Sequence, residues 1–142
     1  NNITGTGIAT LVEGLNLTAS KASGFTNIVL DYTAGAAGIN LIDSNVSDWD
    51  ELAELDNLDV IINSSDLAGG NNVNLITANE NFTGTTAIDL TVHYGVDQSQ
   101  TISLAWSAVD NAYISATAVD GKLWKITGKD SATLNLAATV AP

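Results

Sequence analysis

The stretch Ile88–Ala108, IDLTVHYGVDQSQTISLAWSA, decides how this chain reads. Ile88, Leu90, Val92 and Tyr94 alternate with Asp89, Thr91 and His93. After the loop Gly95–Gln100, Ile102, Leu104, Trp106 and Ala108 alternate with Ser103, Ala105 and Ser107. A period of two sets each apolar group on one face of a strand, so the two runs predict a hairpin with one buried face.

The same pattern extends in both directions. Residues 112–119 and 122–127 flank Asp120-Gly121, a two-residue hairpin turn in which both positions tolerate positive φ. The chain closes with Ala132, Leu134, Leu136, Ala138 and Val140 on one face and Thr133, Asn135 and Thr139 on the other. Upstream, Ile28, Leu30 and Tyr32 form one strand face, and 38–42, 57–62 and 73–78 read as further strands. Only 48–56 reads as helical: Trp49, Leu52 and Leu55 fall at i, i+3, i+6, and Ser47 with Asp50 matches a capping box. About ten short strands, one short helix and no βαβ rhythm predict an all-β fold, a β-sandwich of jelly-roll type. No internal repeat or linker is visible, and the length suits a single domain over 1–142.

Composition narrows the function classes. The chain has no cysteine, methionine or arginine and one histidine, His93, which removes thiolate metal sites, disulfides and most nucleophilic machinery. Its four lysines against sixteen acidic residues give a net charge of −12, which repels nucleic acid and anionic lipid. Charged residues are nevertheless only 14% of the chain, so solubility leans on Ser, Thr and Asn, a composition common outside the cell. No apolar run is long enough to span a bilayer, and the start at Asn1 reads as a mature or trimmed form. These features predict an extracellular or cell-surface structural protein, not an enzyme.

Residues 1–18 read either as the first strand of the chain's own sandwich or as a strand donated to a neighbouring copy. In them Gly5, Gly7, Ala9 and Leu11 alternate with Thr4, Thr6, Ile8, Thr10 and Val12. A strand with small residues on one face can enter a neighbour's groove, where ladder hydrogen bonds supply affinity and side chains set register. Such a head-to-tail contact does not close on itself and generates filaments. In its Thr-Gly-Thr-Gly-Ile-Ala-Thr opening (Thr4–Thr10), its all-β remainder and its polar, uncharged surface, the chain resembles extracellular filament subunits of the donor-strand β-sandwich type: archaeal threads, bundling pili and TasA-like matrix fibres. The resemblance implies a homopolymer in which Thr4, Thr6, Ile8, Thr10 and Val12 form the polymerisation strand.

Two other features bear on partners. Asn-x-Ser/Thr sequons occur at Asn2, Asn16, Asn45, Asn63 and Asn81, where this Asn and Ser/Thr content would give about three by chance. If used, they make the protein a surface glycoprotein. Half of the acidic residues lie between Asp43 and Asp66 with no basic residue among them, and Asp43, Asn45, Ser47, Glu51 and Glu54 fall at calcium-loop positions one, three, five, nine and twelve. Position six, normally glycine, is Asp48, so a dipole-matched helix start, with Asp48, Asp50 and Glu51 beside free N–H groups, competes with a calcium site.

Trp106 falls with Ile102 and Leu104 and reads as core, whereas Trp124, between Lys122 and Lys125, is a candidate exposed platform for sugar rings. An exposed Trp124 or Trp49 would favour the alternative of a carbohydrate-binding or adhesin module. A viral capsid or decoration protein is the third reading, since jelly rolls also build shells.

Overall fold

The computed structural model describes residues 2–18, 21–42, 58–83 and 87–141. The expected helix at 48–56 lies outside them. The alternation of Ile88–Ala108 becomes β7 (Ile88–Gly95) and β8 (Gln98–Ser107), antiparallel in the register Ile88 to Leu104 and Leu90 to Ile102. Ile88, Leu90, Val92 and Leu104 are fully buried. Tyr94, at the strand end, has outrun the core and is 40% exposed.

The remaining strands are β1 (Asn2–Val12), β2 (Asn16–Leu17), β3 (Lys21–Asp31), β4 (Ile39–Leu41), β5 (Leu58–Asn63), β6 (Asn72–Thr77), β9 (Ala112–Ile114), β10 (Lys122–Thr127) and β11 (Thr133–Val140). A 3-10 helix, Ser64–Gly70, joins β5 to β6. The protein is nearly all β, as the alternation predicts, and its strands form one strongly curled mixed sheet in the order β1-β3-β5-β7-β8-β9-β10-β11-β6-β4-β2.

The connectivity differs from the antiparallel Greek keys of a jelly roll. Pairs β1–β3, β3–β5, β5–β7, β2–β4 and β4–β6 are parallel. Parallel neighbours need a crossover between them. Here the crossover is itself a strand, because the chain alternates between a run β1, β3, β5, β7 and a run β2, β4, β6. From β7 onward the chain instead meanders antiparallel through β8, β9, β10 and β11, and β11 returns to pair with β6.

Both runs supply one core. Leu30, Val60, Ile62 and Leu90 come from the first, and Ile39, Leu75, Ile76, Trp124, Ile126, Leu134 and Leu136 from the second and the meander. Each such aliphatic side chain contributes about 2 kcal/mol by leaving water. The outer face is laced by short polar pairs across strands: Asn135 donates to Asn72 and Asn74, both at 3.0 Å, and Thr91 meets Thr101 at 2.8 Å.

The Asp120-Gly121 turn forms as expected. Both residues have positive φ, 53° and 69°, and Val119 and Lys122 exchange backbone hydrogen bonds of 2.9 and 3.1 Å. This is the primed turn whose twist matches that of the flanking strands.

Candidate functional site

Strand β1 is the first strand of the sheet order and pairs in parallel with β3, its register running from Ile8–Asn27 to Val12–Asp31. Among the described residues, no strand bonds to its other edge. Leu11 is buried and Ala9 half-buried, while Ile8 is 63% and Val12 51% exposed, with Thr6 and Thr10 exposed beside them. The strand thus presents a β-branched stripe to solvent.

The small residues of β1 explain how closely it approaches β3. A Cβ at Gly5 would lie 2.8 Å from the Phe25 ring, and one at Gly24 would lie 2.2 Å from the Gly5 carbonyl oxygen. Gly24 also has φ 89°, a conformation that favours glycine. The register shifts around Gly7, where the Thr26 hydroxyl donates to the Gly7 carbonyl at 3.1 Å. Beyond that irregularity, Ile8–Val12 is a regular ladder.

A second constellation was invisible in the sequence because it joins residues 58 positions apart. Ser64, buried at 1% exposure, donates to Asp120 Oδ2 at 2.6 Å. Lys122 Nζ donates to the Ser64 hydroxyl at 2.7 Å and to its carbonyl at 2.9 Å, lies 3.9 Å from Asp120 Oδ2, and sits 5.7 Å from the centre of the Trp124 ring. The turn is thereby pinned to the 3-10 helix. With its hydroxyl both donating and accepting, Ser64 is a satisfied buried polar group.

Beside this pin lies an open cavity of about 440 Å³ lined in part by Asn63, Ser65, His93, Tyr94 and Asp120. His93 is half-buried on the Thr91 face of β7, away from the core, as its parity implies. Among the described residues, no three His, Asp or Glu side chains converge as a metal site would require.

Trp124 is a correction. It is 1% exposed, and its indole N–H donates to the Val119 carbonyl at 3.2 Å, so it cannot serve as a sugar platform. The readable signal was parity: Trp124 shares a face with Ile126, and the Lys122 ammonium sits over the ring while donating to Ser64. Trp106 packs edge-on against Tyr113 at 5.0 Å and is partly buried against the core, near its expected place.

Of the sequons, Asn16 and Asn81 are exposed. Asn16 accepts from Asn40 through Oδ1, a bond that does not involve its amide nitrogen. Asn63 is half-buried and its amide nitrogen donates to the Thr33 carbonyl at 2.9 Å, which opposes modification there. Asn45 lies outside the described residues, as do Trp49 and the calcium-loop positions Asp43, Asn45, Ser47, Glu51 and Glu54.

Among the described residues, three ionisable groups are shifted. Burial raises the Tyr32 hydroxyl far above its ordinary range, and it donates to the Leu75 carbonyl. Tyr113 is pushed up to about 12 by burial and then by the Asp130 charge. Asp59 is raised by burial and then by Asp89, its direct partner across the parallel β5–β7 pair.

No known protein family, curated protein or solved structure matches the chain. Among the described residues, no helix is long and apolar enough to cross a membrane.

Proposed function

We propose that this protein is a self-assembling structural subunit of an extracellular or cell-surface filament, joined to its neighbours through β1. One observation carries the reading: β1 offers an eleven-residue strand with neither charge nor proline and, among the described residues, an unpaired edge, in a chain of net charge −12. Exposed edges are ordinarily blunted by charge, proline or shortness. This edge is a template for another strand, and its exposed Ile8 and Val12 add apolar area to the joint.

Strand β1 already pairs with its own β3, so it completes a neighbour's sheet with its free edge while remaining at home. The polar outer face of Asn and Thr pairs and the exposed sequons at Asn16 and Asn81 suit a location outside the cell. Electron microscopy of the purified chain tests the reading. Filaments from the unmodified chain, and dispersed particles from a folded Ile8→Lys, Thr10→Lys variant, are the expected outcome; dispersed unmodified chain at every salt concentration would end it.

A second reading, a glycan-binding or adhesin module, is favoured by the cavity whose lining includes Tyr94 with Asn63, His93 and Asp120. Titration with neutral oligosaccharides, followed at the His93 ring protons, distinguishes it: saturable shifts lost in Tyr94→Ala support this reading.

A further inference from the structure

The far end of the β1 run carries a second open edge. In β8, Gln98–Leu104 pairs with β7 on one side, whereas β9 takes up the other side only at Ala105–Ser107. Among the described residues, nothing bonds to the outer edge of Gln98–Leu104. Gln98, Ser99, Gln100, Thr101 and Ser103 are exposed, and β8, like β1, contains no charged residue and no proline.

Direction then decides what fits. Strands β1, β3, β5 and β7 are mutually parallel, and β8 is antiparallel to β7. Strand β8 therefore runs antiparallel to β1 at opposite ends of one run of strands. Moving a copy along the hydrogen-bonding direction sets its β1 beside the β8 of the copy before it, in the antiparallel sense, with unsatisfied N–H and C=O groups on both sides.

We propose that the partner of the β1 edge is the Gln98–Leu104 edge of β8 in the next copy, so that the run β1-β3-β5-β7-β8 continues from subunit to subunit as one sheet. This rests on the structural-subunit reading above and names its acceptor. Charge supports a second copy as the occupant: two chains of net charge −12 repel over most surfaces, and these two edges bring strands together without apposing carboxylates. The contact is heterologous and repeats without closing, whereas β1 against β1 would stop at a two-fold dimer. Five strands at the usual spacing give an axial step of about 24 Å or less, the shorter value following from sheet curl.

The absence of cysteine makes the joint directly testable. Thr10→Cys is combined with Ser99→Cys, Gln100→Cys or Thr101→Cys in turn, in the full chain, under mild oxidation, with each single variant alongside and circular dichroism confirming the fold. The expected result is a covalent ladder from at least one double variant, only monomers from the β8 singles, and at least a ten-fold smaller crosslinked fraction after adding Gln98→Lys and Ser103→Lys. Filaments that form without a β1–β8 crosslink in any register would overturn this acceptor while leaving the structural reading intact. Crosslinked dimers from Thr10→Cys alone, with no ladder from any double variant, would likewise replace it with a β1–β1 contact. Neither filament nor crosslink in any variant would overturn both.

Discussion

The parallel first part of the molecule, β1 to β7, and the antiparallel meander from β7 to β11 solve the same problem of edges in opposite ways. In the meander, each new strand is reached by a short connection, and the last strand returns to β6, so its ladder groups are satisfied within the chain. Its Asp120-Gly121 turn is pinned by Ser64 and Lys122. In the parallel part, the first pair of strands, β1 and β2, ends on edges that no other described strand pairs with, and Leu11 ties β1 to the buried core. Among the described residues, the meander closes onto β6 through β11 but leaves the Gln98–Leu104 edge of β8 open, whereas the parallel part ends on the outer edges of β1 and β2.

Truncating Trp124, the largest fully buried side chain among the described residues, probes the meander first. Trp124→Ala should cost about 3–5 kcal/mol and lower the denaturation midpoint of every probe together. A change confined to the meander would break the idea that both regions share one core.

A matched pair of glycines sharpens the contrast. Gly24 and Gly128 both have positive φ, and a Cβ at either would lie 2.2 Å from a backbone oxygen, that of Gly5 or that of Thr133. Gly128→Ala should destabilise the whole domain, whereas Gly24→Ala should lift β1 from β3, shown by amide exchange that accelerates in Ile8–Val12 with little loss in β10 and β11. Equal global loss from both would place β1 inside the cooperative unit.

Ser64→Ala leaves the Lys122 ammonium and Asp120 short of a partner and should cost about 1–3 kcal/mol, read from the urea midpoint. The smallest effect concerns β5 and β7. The folded pKa of Asp59 is raised, so its contribution favours the fold below the unfolded value near ~3.9 and is lost as pH rises through the folded value. Asp59→Asn should therefore raise the melting temperature slightly at neutral pH, and the two melting curves should converge in acid.

Much of the closed region was legible. Alternation fixed the faces of β7, β8 and β11, and the Asp-Gly pair fixed a turn, because both signals are local. The parallel pairing was not, since alternation has the same period whether the neighbour runs parallel or antiparallel, and β3 and β5 are brought together from beyond a strand of the other run. No repeat was visible because the successive strand pairs have unequal lengths: eleven and two residues, eleven and three, then six and six. The two faces of β1 were readable from Ile8 to Val12, and its exposed edge follows from its place in the sheet order alone. Trp124 was misread because its flanking lysines outweighed its shared parity with Ile126.

We propose that the β1 edge joins copies of this chain. Electron microscopy of the unmodified protein at neutral pH, in low salt and in salt high enough to screen its −12 charge, addresses it most directly. Filaments that lengthen with salt and repeat every 24 Å or less, by about five strand spacings, are expected. Dispersed monomers under both conditions would contradict the account.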